Sequence, residues 1–110
     1  MAKRAIINIV EKYINAVSEK YLVERIFLFG SFAKKGGEEH SDIDIAFVFP
    51  AIPDYFKLQL DLMRLRRKID LRIEPHLFSD NDFNENDPLV AEIMNTGIEL
   101  SPRGKRVQKV

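Results

Sequence analysis

Residues 25–49 read RIFLFGSFAKKGGEEHSDIDIAFVF, and the order of residue types along them decides the fold. Arg25 to Phe29 is a short apolar run that stops at Gly30-Ser31, the pattern of a buried strand ending in a tight turn. Residues 32–41 are polar and hold Gly36-Gly37; from Asp42 to Phe49 the residue types alternate, and Pro50 follows. A strand has period two, so Asp42, Asp44, Ala46 and Val48 share one face while Ile43, Ile45, Phe47 and Phe49 share the other. Only the beginning of the first face is acidic. The short polar connection lets the two strands pair antiparallel, which brings Gly30-Ser31 to the level of Asp42 and Asp44.

Outward from this hairpin the elements alternate. Upstream, residues 3–20 carry Ile6, Val10, Tyr13, Ile14 and Val17, with Tyr21 following, at helical spacing. Downstream, Asp54 is an N-cap for a helix over 55–68, with apolar stripes Phe56/Leu60/Met63 and Leu58/Leu62/Leu65, which predicts burial on a wide face. Residues 69–75 alternate again and are read as a strand that Pro75 ends. Asp87 caps a helix with Pro88 at its first position, Leu89, Val90, Ile93 and Met94 inward, and Gly97 at a left-handed exit. Ile98 to Leu100 form a last short strand. The segment 50–68 is long enough for a crossover, so strands 42–49 and 69–75 are expected to be parallel. The fold class is α/β (α+β): a small mixed β-sheet flanked by helices, with Asp70 at the same edge as Asp42 and Asp44.

Composition bounds the rest. A chain of 110 residues is one domain, read as 1–101 with a basic C-terminal tail, 102–110, holding Arg103, Lys105, Arg106 and Lys109. Zero Cys excludes a disulfide framework and Cys-based metal knuckles, and fits a cytoplasmic location. The 17 basic and 17 acidic residues leave no net charge, which argues against direct nucleic-acid binding through a wholesale basic face. Membrane insertion is not expected: the longest nearly apolar run, Ile45 to Ile52, is broken by Pro50 and falls short of the ~20 residues of a span. Glu11 and Lys12 interrupt the N-terminal stretch before it forms a signal sequence.

The chemistry concentrates at the hairpin. Asp42 and Asp44 at i and i+2 place their Cβ atoms roughly 7 Å apart on one face. Carboxylates so placed repel each other unless a cation lies between them, and oxygen ligands without His or Cys select Mg²⁺ or Mn²⁺. Taken alone, the triplet reads equally as a polar cap at a strand end. Gly30 permits close backbone approach, and Ser31 opens a turn whose N–H groups and hydroxyl can hold phosphate oxygens. A phosphate cradle beside paired carboxylates is what nucleoside triphosphate chemistry requires.

Gly30-Ser31, ten residues, then Asp42-Ile43-Asp44, set in Leu28-Phe29-Gly30-Ser31-Phe32-Ala33-Lys34 and Ser41-Asp42-Ile43-Asp44-Ile45, resembles the signature of the DNA polymerase beta-type nucleotidyltransferase superfamily. The short length resembles its minimal members, the prokaryotic partners of HEPN-domain toxins. The resemblance implies that Gly30 and Ser31 contact the triphosphate of ATP and that Asp42 and Asp44 hold two Mg²⁺ ions. It also implies a third carboxylate on a later strand, a position Asp70 matches. Lys35 departs from the family pattern, in which Gly directly follows a basic residue. The implied activity is transfer of AMP from ATP to a hydroxyl, a tyrosine of a HEPN toxin, with this chain as antitoxin. A non-catalytic antitoxin and a small-molecule nucleotidyltransferase of antibiotic-resistance type are the alternatives.

Glu74 rivals Asp70 as third carboxylate, but four residues along a strand is roughly 13 Å, which would carry it to the level of Ala46 and Val48. Arg72 reads as a phosphate or partner contact, or as an ion-pair partner of Glu74 or another neighbour. His76 reads as a surface or capping residue rather than a base, and His40 as part of a solvated loop.

Overall fold

The structure, a computed structural model, describes residues 4–33 and 41–102. The expectations for Lys34, Lys35, Gly36, Gly37, His40 and the tail from Arg103 lie outside the described residues. Helix α1 (Arg4–Lys20) precedes β1 (Arg25–Phe29), a single 3-10 turn (Gly30–Phe32) and β2 (Ile43–Phe49). Then follow α2 (Tyr55–Arg66), β3 (Ile73–Ser79), α3 (Pro88–Thr96) and β4 (Ile98–Leu100). The four strands form one mixed sheet in the order β3-β2-β1-β4. Strand β2 runs antiparallel to β1 and parallel to β3, as the sequence predicts, and β4 pairs antiparallel with β1.

The alternation in β2 divides the core. Ile43, Ile45, Phe47 and Phe49 pack with Ile26 and Leu28 of β1 against Val10, Tyr13, Ile14 and Val17 of α1 and Leu58 and Leu62 of α2. Ala46, on the opposite face, packs with Phe27, Phe29 and Ile93 of α3, with Phe78 and Phe83 alongside. Tyr13 is fully buried, and its hydroxyl donates to the Leu62 carbonyl at 2.7 Å, tying α1 to α2; burial pushes its phenol up. At the end of α1, Lys20 and the Tyr21 hydroxyl both reach Asp61, and these contacts hold that carboxyl low, the Tyr21 bond first.

Three expectations about the helices need correction. Helix α2 buries only Leu58 and Leu62, while Phe56 stays 76 % exposed and Leu60 is also exposed, so its apolar face is narrower than the two stripes suggest. In α3, Asp87 accepts from Leu89 N at 2.9 Å as expected of a cap, but Leu89 is exposed and only Val90 and Ile93 are buried. Gly97 leaves that helix in extended conformation (φ −78°, ψ 164°), not left-handed. Glycine is required there by space: an added Cβ would lie 2.5 Å from the Ile93 carbonyl oxygen and 3.3 Å from that of Leu28.

The third strand starts at Ile73, not at residue 69, and Pro75 lies inside it. Strand β3 is an edge strand, and Arg72 O and Asp80 N make its terminal bonds to β2, with Ile43 N and Phe49 O. Even-numbered residues therefore carry the ladder, and the missing N–H of Pro75 falls on the open side, where it costs no strand pairing. Residues 66–72 turn instead: Ile69 N and Asp70 N both donate to Arg66 O. The Arg66 guanidinium then donates to the outward carbonyls of Leu71 (3.1 Å) and Ile73 (2.9 Å), covering the start of the open edge.

Tyr13→Phe is expected to cost about 1 kcal/mol, the net worth of one buried hydrogen bond. Leu62→Ala is expected to cost roughly 2–5 kcal/mol through the cavity it leaves. Urea denaturation of the two variants checks the ranking.

Candidate active site

Strand β1 delivers the chain to Gly30, whose φ of +72° is the only positive value among the described residues. The next residues close a 3-10 turn, with Ala33 N donating to Gly30 O at 3.2 Å. Phe32 is buried and anchors the turn in the helix-side core, which leaves Ser31 exposed. Across the antiparallel pair, Phe29 is in register with Asp44. The backbone of Gly30 therefore comes down on the Asp44 side chain: an added Cβ would lie 2.4 Å from Asp44 Oδ2. Gly30 thus meets two demands at once, a left-handed backbone and contact with a carboxylate.

Asp42 immediately precedes β2 and is exposed; Asp44 is partly buried. The parallel register sets Asp44 opposite Glu74 and Ala46 opposite His76. Glu74 is therefore level with Asp44 and on its face, not displaced toward Val48. Asp70 lies in the turn before β3, not on the strand expected over 69–75. Its carboxylate caps that turn, accepting from Arg72 N at 2.9 Å, and is gripped by the Arg72 side chain, Nε at 3.0 Å and Nη2 at 2.8 Å. The Arg72 hydrogen bonds hold its carboxyl below the usual carboxylate range, against the opposing effect of desolvation.

Every carboxylate on the inner side of this group has a partner. Asp44 Oδ1 lies 3.0 Å from His76 Nε2, Asp70 pairs with Arg72, and Glu74 pairs with Arg66 at 3.5 Å. Arg72 thus pairs with Asp70, while Glu74 takes a partner from α2. The His76 contact was not legible in the sequence, because a histidine after Pro75 looks like a strand-end residue until β3 is extended through it. Among the described residues no three His, Asp or Glu side chains are grouped to hold a metal. The donor chemistry nevertheless fits a hard divalent cation: Asp42 and Asp44 offer anionic oxygens from one strand face, and the space beside Asp44 Oδ2 is one that only glycine leaves open. A groove of about 490 Å³ lies at the other end of β2, lined by Tyr21, Leu22, Phe49, Ile52 and Leu58 among others, and includes none of these residues.

The sequence pattern of the family described as "Polymerase beta, Nucleotidyltransferase" matches residues 11–105. The chain belongs to that family. Two proteins of Methanocaldococcus jannaschii, MJ0128 and MJ1215, provisionally named protein adenylyltransferases, are similar to it: 44 % identical over 50 residues and 43 % over 49. These stretches are 46 % and 44 % of this chain and 51 % and 57 % of the relatives, so the match spans about half their length. A provisionally assigned nucleotidyltransferase from Sulfolobus solfataricus has the same fold, with a TM-score of 0.65 at 19 % identity, covering 96 % of this chain and 88 % of the other. A chain in the crystal structure of a variant of the toxin–antitoxin MntA–HpeT superposes with a TM-score of 0.61 at 25 % identity, over 82 % of this chain and 69 % of that one. The mixed sheet and its flanking helices are thus the nucleotidyltransferase fold.

Gly30→Ala is expected to lose roughly 1–3 kcal/mol through left-handed strain and the clash with Asp44, measured by urea denaturation. Asp70→Asn tests the turn. Because the folded-state pKa of Asp70 is lowered, its ion pair contributes stability above the unfolded carboxylate range and loses it as pH falls through the folded value. The variant should be less stable than the parent at neutral pH by about 1 kcal/mol, and the gap should shrink as pH falls below the unfolded carboxylate range.

Proposed function

We propose that this chain transfers AMP from ATP to a protein hydroxyl, with release of pyrophosphate, and that the acceptor is a tyrosine of a HEPN-type toxin whose activity it silences in the cytoplasm. The observation that carries the reading is the closure of the Gly30 backbone on Asp44 Oδ2, which sets the 3-10 turn and its exposed Ser31 directly beside a carboxylate. Similarity to provisionally named protein adenylyltransferases supports the acceptor class, and similarity to an MntA–HpeT chain supports the toxin partner.

In this reading Gly30 and Ser31 hold triphosphate oxygens through backbone N–H and Oγ. Asp42 and Asp44 would hold the cations, two Mg²⁺ or Mn²⁺, with Glu74 as the third carboxylate by its register with Asp44. Bound there, the cations would offset charge on the α-phosphate and the leaving pyrophosphate and lower the pKa of the attacking hydroxyl. The bond between the α-phosphorus and the bridging oxygen to the β-phosphate breaks as the acceptor oxygen bonds to that phosphorus, and the hydroxyl proton passes to solvent. Glu74, 42 % exposed and paired with Arg66 at 3.5 Å, exchanges a weak ion pair for this role. Asp70 holds Arg72 at the rim. The exposed Tyr55, Phe56 and Leu22 offer apolar surface to a partner away from the site.

Asp44→Asn and Asp42→Asn are each expected to abolish transfer with the fold kept, and Glu74→Gln to lower the rate by orders of magnitude, against less than about tenfold for Asp70→Asn. The assay incubates the chain with labelled ATP, Mg²⁺ and a molar excess of the toxin and follows the toxin's mass. Catalytic amounts should add one or more AMP groups. Protection that is stoichiometric, indifferent to ATP and kept by Asp44→Asn would instead support neutralisation by contact.

A further inference from the structure

His76 is on the face of β3 that carries Glu74, and it stands opposite Ala46 rather than Asp44. Its imidazole nevertheless reaches Asp44 Oδ1, at 3.0 Å. Two neighbours allow this. The fully buried methyl of Ala46 leaves room beside the ring, and Phe29 closes edge-on against it, with centroids 4.9 Å apart at 63°. With Asp44 ionised its oxygen can only accept, which makes Nε2 the donor of this bond.

The two oxygens of Asp44 are consequently divided between two neighbours: Oδ1 faces His76, and Oδ2 faces the backbone of Gly30. The terminal torsion of an aspartate is broad and has no strong preference of its own. A donor on one oxygen selects one orientation and leaves the other oxygen's direction set before any ligand arrives. We propose that His76 is a positioning residue that locks the Asp44 carboxylate with Oδ2 turned toward the Gly30 cradle, so that this ligand to the cation is preset. The inference rests on the transfer reading above and adds to it; the role assigned to His76 is exerted through Asp44. A ring that merely packs on Phe29 would have no such effect.

Substitutions separate the two roles. His76→Phe keeps an aromatic ring against Phe29 and removes the donor, whereas His76→Gln supplies an amide N–H at similar reach. Bound Mn²⁺ is measured on the full chain from the electron paramagnetic resonance signal of the free ion, in the presence of α,β-methylene-ATP. Thermal midpoints without metal are recorded alongside, and the Mg²⁺ dependence of AMP transfer is followed with the parent acceptor. His76→Phe should keep a metal-free midpoint close to the parent, bind Mn²⁺ ~10–100-fold more weakly, and need correspondingly more Mg²⁺ for half-maximal rate. His76→Gln should recover most of the loss. Parent-like Mn²⁺ affinity and Mg²⁺ dependence in His76→Phe would overturn the inference while leaving the transfer reading intact, and so would a His76→Gln protein as weak as His76→Phe. Absence of Mn²⁺ binding in the parent chain would overturn both.

Discussion

The alternation of Ile43, Ile45, Phe47 and Phe49 with Asp42, Asp44, Ala46 and Val48 is the constraint on which the rest of the molecule depends. One set is buried against α1 and α2, so a slip of one residue would turn the aspartates into the helix-side core and the aromatic rings out of it. With β2 pinned in this way, its neighbours on both sides are fixed. Strand β1 brings Gly30 down on Asp44 from one side, and β3 brings Glu74 and His76 to it from the other. The candidate site is the point where three consequences of one register meet.

That register was half legible in the sequence. A period-two pattern assigns faces, and Glu74 and His76 do share the face of Asp44; but an even shift along the strand leaves the pattern unchanged, so the level of each residue is invisible to it. Pro75 then misplaced the strand, because reading it as a terminator presumes that its nitrogen is needed for pairing. On an open edge it is not. The same lesson applies to Gly97, where the residue type was read correctly as special but the reason is the nearness of the Ile93 and Leu28 carbonyls rather than a left-handed backbone. By contrast, the Gly30-Ser31 turn, the Asp42/Asp44 face, the Asp54 and Asp87 caps and the mixed sheet all follow from local rules that tertiary packing did not override.

The charges around the site are arranged to stand without a ligand. Arg72 and Arg66 each pair with one carboxylate, and His76 hydrogen-bonds a third. They differ in what they leave free. The Arg72 fork engages both oxygens of Asp70 at 2.8–3.0 Å and commits that side chain to the turn, whereas Arg66 holds Glu74 loosely and His76 holds only one oxygen of Asp44. The groups left with open oxygens are Asp44 and Glu74, the pair that the β2–β3 register brings level, with Asp42 exposed at the mouth.

Crystals of the chain grown with Mn²⁺ and α,β-methylene-ATP, read by anomalous scattering at the manganese edge, test this account most directly. A manganese peak at about 2.0–2.3 Å from oxygens of both Asp42 and Asp44, with the triphosphate against Gly30-Ser31, Glu74 turned toward the metal and Asp70 still on Arg72, is the result predicted. A metal bound by Asp70 in place of Glu74, or a triphosphate seated away from Gly30, would contradict it.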